Sequence, residues 1–369
     1  MAIRFALLTL ALVGLAAAVE VKVGETCTNA NTGTLAGPHF LAASPSDGSI
    51  LISELTGHVV KKMVNGEVTV MVGSGTAGAM DGIGTEATFK DPAGIAISID
   101  GKMAFVCDTG NNYIRRISLD GAVVKKIAGG EAVGKTDGVG TVAQFNGPKG
   151  IVVATTEIAY VADNMNHMIR KLAGIDGEVA TVSLLAGSGS IGSADGTGNA
   201  ASFYRPHGLA VMADGHILVA DMGNNKIRKI TPAGVVTTLA GEGTSGYLDS
   251  TVPTDAKFAS PFDISITTDD AFALVTEEGG NRVRKIDLAS GEVTTLAGST
   301  DGEMGTADGL TYLARFNTPR GLVVVNKDKV LVADFGSASV CLPPLSCVLC
   351  NNSTHCISLE WPAGAYALR

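Results

Sequence analysis

Two histidines and two cationic residues stand at equivalent places in this chain, each directly after a recurring proline. They are His39, Lys149, His207 and Arg320. Ammonium, guanidinium and imidazole groups that converge on one point can bind an anion through charge-assisted hydrogen bonds. The two imidazoles alone could instead act as metal ligands. Both interpretations require a fold that brings residues far apart in sequence to one place.

The prolines open six similar segments, and their spacing supplies such a fold. They recur at intervals of 54–58 residues, at Pro38, Pro92, Pro148, Pro206, Pro261 and Pro319. Each segment has four short apolar or β-branched runs separated by Gly, Asn and Asp, as in residues 208–211, 218–221 and 235–241. Four short strands per repeat are typical of a propeller blade. We therefore predict an all-β fold, a six-bladed β-propeller with four-stranded blades.

In this fold the first strand of a blade starts on the face where the second strand ends. The residue after each proline is therefore expected at the mouth of the central channel. Blades three apart face each other in a six-fold ring, which predicts His39 opposite His207 and Lys149 opposite Arg320. The mouth is predicted to be an anion site formed by all four residues or, alternatively, a metal site formed by the two histidines.

A second series of polar residues ends the second runs of the repeats and has an acidic side chain in every case. These residues are Glu54, Asp108, Asp163, Asp221, Glu277 and Asp334. In the first five repeats a base follows seven residues later, namely Lys61, Arg115, Arg170, Arg228 and Arg284. Across a tight hairpin this offset brings the acid and the base together diagonally. We interpret them as structural ion pairs.

The linkers between repeats carry a further signature, which begins with Asp-Gly and ends in phenylalanine. It is clearest at residues 81–89, recurs at residues 137–145 and 195–203, and is looser at residues 249–258 and 308–316. Asp-Gly favours a tight turn, and the phenylalanine is expected to fill the seam between blades. Calcium binding by these aspartates is the alternative, although the dense ligand spacing of an EF-hand is missing. We expect no cofactor, with zinc or calcium as the alternatives.

The repeat resembles the NHL repeat in its Pro-x-Gly-Leu, Val-Ala-Asp, Gly-Asn-Asn-x-Ile-Arg and Val-Thr-Thr-Leu-Ala-Gly elements, seen at residues 206–241. The resemblance extends over residues 38–340 and implies a propeller. NHL propellers include enzymes, receptor sensor domains, RNA-binding modules and adhesion domains. The Pro-His-Gly-Leu run at His207 also resembles the context of the zinc histidines in peptidyl-α-hydroxyglycine α-amidating lyase propellers, which implies a metal role for His39 and His207.

The ends of the chain indicate export. Residues 1–18 have a basic start, an apolar stretch and Ala16–Ala18, as in a secretory signal peptide, and the stretch is too short to span a membrane. We assign residues 19–340 to the propeller and residues 341–369 to a cysteine-containing tail, which could be the start of a truncated cysteine-rich module. The last repeat lacks its outer strands, so residues 19–24 are expected to supply one and close the ring.

Secretion makes disulfides the default use of cysteine. The candidates are Cys27, Cys341, Cys347, Cys350 and Cys356, whereas Cys107 lies in a strand and is expected to be buried. Asn351 and Asn352 begin two overlapping glycosylation sequons.

The formal net charge of −9 disfavours nucleic acid as a partner. No nucleophile, zinc-protease or phosphate-loop motif is present in the sequence. We therefore expect a secreted, extracellular, non-enzymatic propeller without a membrane span that binds a protein, a glycan or a small anion on its loop face. The alternatives are a metal-dependent lyase or hydrolase and the ectodomain fragment of a receptor or adhesion protein.

Overall fold

The structure is a computed structural model that describes residues 20–22, 35–307, 311–326, 329–340 and 357–360. The predicted signal peptide, Cys27, the four tail cysteines and both sequons lie outside these residues. Among the described residues no helix has the length and apolar character needed to cross a membrane.

In the part of the chain that the structure describes, almost all regular structure is β-strand, arranged in six antiparallel sheets that we number along the chain. The chain begins with β1 (Glu20–Lys22). Sheet 1 contains β2 (Pro38–Ala43), β3 (Ile50–Glu54), β4 (Val59–Val64) and β5 (Glu67–Val72). Sheet 2 contains β6 (Gly82–Ile83), β7 (Pro92–Ile97), β8 (Met103–Asp108), β9 (Tyr113–Ser118) and β10 (Val123–Ala128). Sheet 3 contains β11 (Gly138–Val139), β12 (Pro148–Val153), β13 (Ile158–Asp163), β14 (Met168–Ala173) and β15 (Thr181–Ala186).

The second half of the chain repeats the pattern. Sheet 4 contains β16 (Gly196–Thr197), β17 (Pro206–Val211), β18 (Ile217–Asp221), β19 (Lys226–Ile230) and β20 (Val235–Ala240). Sheet 5 contains β21 (Pro261–Ile266), β22 (Phe272–Glu277), β23 (Arg282–Asp287) and β24 (Val293–Gly298). Sheet 6 contains β25 (Pro319–Asn326), β26 (Lys329–Asp334), β27 (Ser339–Val340) and β28 (Ile357–Glu360), and also β1.

The helices of the described residues are three-residue 3-10 turns between strands. They span Gly84–Glu86, Thr109–Asn111, Gly140–Val142, Asn164–Asn166, Gly198–Ala200, Met222–Asn224, Pro253–Asp255, Thr311–Leu313 and Phe335–Ser337.

The first strands form the inner wall of the molecule. They contact one another in circular order, β2, β7, β12, β17, β21 and β25, and β25 lies beside β2. Such close approach requires glycine at the third position of most first strands. A Cβ on Gly150 would lie 2.1 Å from the carbonyl oxygen of His207, for example, and one on Gly94 would lie 2.1 Å from that of Lys149.

Each proline pairs with the acid that ends the second strand, as in Pro148 with Asp163 and Pro206 with Asp221. The register then shifts by one residue immediately after the proline. This β-bulge gives the first strand an extra residue at its start, and bulges re-aim the side chains that they carry. The fold therefore places the residue after the proline at the rim of the inner wall.

The seams between sheets are filled by aromatic side chains from the linkers. Each is fully buried, namely Phe89, Phe145, Phe203, Phe258 and Phe316. Burial of a large aromatic side chain on this scale contributes about 2–3 kcal/mol each to stability. The sequence-based expectation for these residues and the observed packing agree.

The architecture confirms an all-β propeller. Sheets 1 to 5 each contain a complete four-stranded meander. In sheet 6 the described residues supply two full inner strands. Beyond them, β26 pairs with β27 at one end and with β28 at the other, and β28 in turn pairs with β1.

Candidate functional site

The residues that follow the prolines meet at one end of the channel. His39, Lys149, His207 and Arg320 line a common cavity of about 220 Å³. We call this cavity the mouth. The remaining members of the proline series, Ala93 and Phe262, are both buried, and Phe262 also lines the mouth.

The two histidines lie side by side on the floor of the mouth. His39 and His207 are 2% and 4% exposed, and their ring centroids are 6.0 Å apart. The ring of His207 lies 3.8 Å from that of Phe262 and is stacked parallel to Phe40 at 5.7 Å. Phe40 in turn lines a second cavity of about 250 Å³ among the first strands. An aromatic cluster therefore lies between the mouth and the channel interior.

Both imidazoles are held in the neutral form. Burial lowers the pKa of His39 and that of His207 well below 6.5, and the nearby positive charges of Lys149 and Arg320 lower them further. A hydrogen bond with the backbone of Phe262 acts in the opposite direction on the pKa of His207. The Nδ1 atoms of both rings are buried without a hydrogen-bond partner among the described residues.

The two cationic side chains of the mouth differ in whether they form an ion pair with an acidic residue. Arg320 forms an ion pair with Glu278, with 2.9 Å between Nη2 and Oε1, and its guanidinium lies 3.4 Å from the ring centroid of Phe335. Its Nη1 is buried and has no acceptor among the described residues. Lys149 makes no hydrogen bond or ion pair within that part of the chain. Burial lowers the pKa of Lys149, and the charge of Arg320 lowers it further.

The mouth also contains a set of residues that the sequence interpretation missed. They directly follow the acids that end the second strands, and they are Leu55, Asn164, Met222 and Glu278. Asn164 donates a hydrogen bond from Nδ2 to the carbonyl oxygen of Pro206 in the next sheet, at 3.0 Å. The sequence contained this information, because four of the six residues that directly follow the acids line the mouth.

Asp263 is a second residue that the sequence interpretation missed. It occupies the place where sheets 2, 3, 4 and 6 have glycine, as in Gly150 and Gly208. Its carboxylate accepts hydrogen bonds from the backbone N–H groups of Ile264 and Leu322, both at 2.9 Å. No cation contacts it within the described residues, and burial raises its pKa to about 7. It lines the second cavity below the mouth.

The structure places the predicted acid–base pairs in contact. Their shortest nitrogen-to-oxygen distances are 2.9 Å for Lys61 and Glu54, 2.8 Å for Arg115 and Asp108, 3.0 Å for Arg170 and Asp163, 2.9 Å for Arg228 and Asp221, and 3.1 Å for Arg284 and Glu277. The four arginines are completely buried. In sheet 6, Asp334 accepts a hydrogen bond from the backbone N–H of Asn317 at 2.8 Å.

Linker aspartates, three of them in Asp-Gly turns, supply the arginines of these four pairs with a second carboxylate. Arg228, for example, bonds Asp195 at 2.6 Å as well as Asp221 at 2.9 Å, and its guanidinium lies 5.2 Å from the centroid of Phe203. Asp81, Asp137 and Asp249 bind Arg115, Arg170 and Arg284 in the same way. The turn aspartates thus accept from arginine, a role that the sequence interpretation did not assign to them.

Metal binding requires at least three suitable side chains in most protein sites. In the described ranges no group of three or more His, Cys, Asp or Glu is arranged to hold a metal ion. At the mouth the two histidines also face Lys149 and Arg320, whose positive charges disfavour a bound cation. The residues of the mouth therefore do not fit a zinc centre.

Cys107 lies in β8 and is fully buried as a free thiol. Its Sγ is 3.8 Å from the carbonyl oxygen of Gly150 in the neighbouring sheet. Burial raises the pKa of the thiol above its ordinary range, so Cys107 packs as a small apolar side chain.

Comparison with known proteins supports the repeat. The model of the NHL repeat matches residues 203–230. NHL repeat-containing protein 2 of Homo sapiens is 30% identical over 260 residues, which cover 62% of this chain and 35% of that protein. Protein SUPPRESSOR OF QUENCHING 1, chloroplastic, of Arabidopsis thaliana is 32% identical over 177 residues, covering 46% and 16%. The chain thus spans about a third or less of the length of these relatives.

Solved structures share the fold at low sequence identity. An auxiliary nutrient binding protein from Bacteroides thetaiotaomicron has a TM-score of 0.61 at 13% identity, over 84% of this chain and 69% of that one. A gluconolactonase from Xanthomonas campestris has a TM-score of 0.55 at 14% identity, over 84% and 87%. Virginiamycin B lyase from Staphylococcus aureus has a TM-score of 0.52 at 17% identity, over 94% and 90%. With the repeat match and the sequence relatives, these likenesses lead to one conclusion: this chain has a β-propeller fold, carries an NHL repeat at residues 203–230 and is similar to NHL repeat-containing proteins.

Proposed function

We propose that this propeller is a non-enzymatic binding module whose mouth takes an anionic group of a ligand. The observation that supports this most directly is the convergence of Lys149 and Arg320 on one cavity. Lys149 has no partner among the described residues, and Arg320 has a buried N–H without an acceptor. A buried donor without an acceptor, such as Nη1 of Arg320, is rare in folded proteins because it costs about 1–3 kcal/mol. A bound anion would accept from this group and would neutralise the charge of half-buried Lys149.

The scaffold favours binding at the mouth. The side chains that form it come from the starts of first strands and the ends of second strands, which are rigid parts of the sheets. The cavity is small compared with typical ligand pockets of about 300–1,000 Å³. It suits one charged group and its immediate surroundings, as would be presented by a free metabolite, a glycan or a protein side chain.

The test is calorimetric titration of the purified protein with acetate and with sulfate at low ionic strength. The wild type is compared with the Lys149→Met/Arg320→Met double variant. We expect saturable binding of at least one anion by the wild type and loss of that binding in the double variant, with Lys102→Met as an exposed-lysine control. Equal binding by all three proteins would refute a role of the mouth.

We propose that the six sheets are the six blades of one closed ring. The circular contacts of the first strands support it, since β25 lies beside β2, and so does the pairing of β1 with β28 in sheet 6. We infer that β1 is the outer strand of sheet 6 and closes the ring, which would remove free sheet edges. Deletion of residues 19–24 should lower the melting temperature, whereas an unchanged melting temperature would count against closure.

A metal-dependent lyase or hydrolase is the enzymatic alternative, and it depends on His39 and His207. Catalytic zinc has three protein ligands in most enzymes. Glu278 also lines the mouth but is paired with Arg320, and the described residues contain no group of three arranged to hold a metal. Elemental analysis of the purified protein and of the His39→Ala/His207→Ala variant decides the matter. About one zinc per wild-type chain, absent from the variant, would replace the binding proposal by the enzymatic one.

Secretion is proposed from the sequence of residues 1–18. Expression from the native start in a secretory host should give a mature protein that begins at Val19. The tail cysteines are proposed to form disulfides, and Asn351 or Asn352 to carry a glycan, which enzymatic deglycosylation would reveal as a loss of mass. A receptor or adhesion ectodomain remains the third candidate, and it would be supported by transcripts that continue into further cysteine-rich sequence.

A further inference from the structure

The chemistry of the mouth selects among anions, and this selection rests on the proposed binding function. Three ionised side chains line the cavity below its rim, two positive and one negative. Glu278 forms an ion pair with Arg320, whereas Lys149 makes no direct ion pair among the described residues. The carboxylates of Glu278 and of half-exposed Asp91 act on Lys149 only from a longer distance. The buried part of the mouth thus has one excess positive charge. Arg205 adds a further charge at the exposed rim, where solvent screens it.

One excess charge matches a monoanion. A dianion such as a phosphate monoester or sulfate would bring a negative charge into the mouth beyond the one that Lys149 compensates, and burial of an uncompensated charge is costly. A carboxylate is also a charge-assisted acceptor for a guanidinium. It can accept from Nη1 of Arg320, which is buried and lacks an acceptor within the described residues.

The imidazoles add a second requirement. In neutral His207 one ring nitrogen carries a proton and the other has a lone pair. Nδ1 of His207 is buried and has no hydrogen-bond partner among the described residues. In the tautomer with the proton on Nε2, Nδ1 is an acceptor. It cannot donate to an anion, but it can accept a hydrogen bond from a ligand hydroxyl.

We infer that the mouth recognises a small hydroxylated monocarboxylate, with the carboxylate between Lys149 and Arg320 and a hydroxyl donated to Nδ1 of His207. A cavity of about 220 Å³ accommodates a molecule no larger than one sugar acid. The aromatic floor of His207, Phe40 and Phe262 provides apolar surface for the carbon atoms of the ligand.

Two pairs of probes test the hydroxyl and the carboxylate of the ligand separately. Glycolate and acetate differ by one hydroxyl, and D-glucuronate and D-glucose differ by the carboxylate. Calorimetric titration of the wild type should give at least about tenfold tighter binding of glycolate than of acetate, the equivalent of one good hydrogen bond. Glucuronate should bind and glucose should not.

Variants then show which side chain binds the carboxylate and which one binds the hydroxyl. Lys149→Met should weaken both carboxylates by about tenfold or more while keeping the glycolate preference. His207→Phe keeps an aromatic ring beside Phe262 and should reduce the glycolate-to-acetate ratio to about one. Lys102→Met, an exposed lysine with 76% side-chain exposure, should change neither value.

The outcomes test selectivity for a hydroxylated monocarboxylate separately from anion binding at the mouth. Sulfate binding at the mouth that exceeds glycolate binding, or equal affinity for glycolate and acetate, would overturn the inference and leave anion binding intact. Failure of every probe to bind would overturn both. The comparison of glycolate with acetate needs only the wild type, so it stands even where a variant fails to fold.

Discussion

The buried arginines of the seams allow a sharp test of how the propeller is held together. Arg228 is fully buried between Asp221, which is also fully buried, and Asp195, which is half-exposed. It also donates to the carbonyl oxygens of Ala194 and Ser202. Arg228→Met retains most of the apolar volume and removes the charge and all four hydrogen-bonded contacts.

The expected loss of stability comes from the buried carboxylate of Asp221, which the substitution leaves without its arginine. Asp221 remains buried and keeps its hydrogen bonds from the backbone N–H of Tyr204 and from Nδ2 of Asn224, both at 2.8 Å. A buried charge that loses its partner destabilises a protein by about 3–5 kcal/mol. Loss of the exposed Asp195 contact adds little because solvent screens it. We therefore expect the free energy of unfolding to fall by about 3–5 kcal/mol, a large part of the usual 5–15 kcal/mol.

Urea denaturation at pH 7 measures this change. The Arg228→Met/Asp221→Asn double variant should recover part of the loss, since the two residues interact directly and their effects are not additive. Burial already raises the pKa of Asp221, so the loss in Arg228→Met should shrink as the pH falls and Asp221 takes up a proton. Lys62→Met, which breaks the exposed pair with Asp47, is the control and should cost about 0–1 kcal/mol. A loss of under 1 kcal/mol in Arg228→Met would refute the reasoning.

Three further changes test the seams and the inner wall. Phe203→Ala empties a fully buried seam site and should cost about 3–5 kcal/mol in chemical denaturation; a smaller cost than Lys62→Met would contradict a seam-filling role. Gly150→Ala places a Cβ 2.1 Å from the carbonyl oxygen of His207 and should lower the melting temperature, unlike Gly121→Ala, where the nearest atom to the added Cβ is Ser118 Oγ at 3.4 Å. Burial raises the pKa of Asp263 to about 7, so the folded protein retains a proton that the unfolded chain releases near pH 4. The free energy of unfolding of the wild type relative to Asp263→Asn should therefore fall between about pH 4 and 7, and a flat difference over that range would contradict the raised pKa.

The repeat made most of the fold predictable. Proline, the terminal acid of the second strand and the base seven residues later recur with a regularity that only a repeated hairpin register explains. The register shift after the proline was not predictable, because a β-bulge is a property of the paired strands rather than of one segment. The position that the bulge gives to the residue after each proline was nevertheless predicted, since that residue was expected at the mouth.

Polar contacts made by single linker and strand-end residues were the part that the sequence interpretation missed. The turn aspartates were weighed as calcium ligands because their partners, such as Arg228 for Asp195, lie more than thirty residues away in sequence. Glu278 was overlooked because the interpretation stopped at Glu277. Asp263 was overlooked because the significance of its position emerges only when glycine in the other sheets is seen to allow close contact between first strands.

The central claim is that the mouth holds an anion between Lys149 and Arg320, and a crystal structure with bromide in place of chloride tests it most directly. Bromide is located by its anomalous scattering, so no assumption about the natural ligand is needed. The account predicts an anomalous peak in the cavity within hydrogen-bonding distance of Lys149 Nζ and Arg320 Nη1. Bromide bound at other sites with an empty mouth would contradict it.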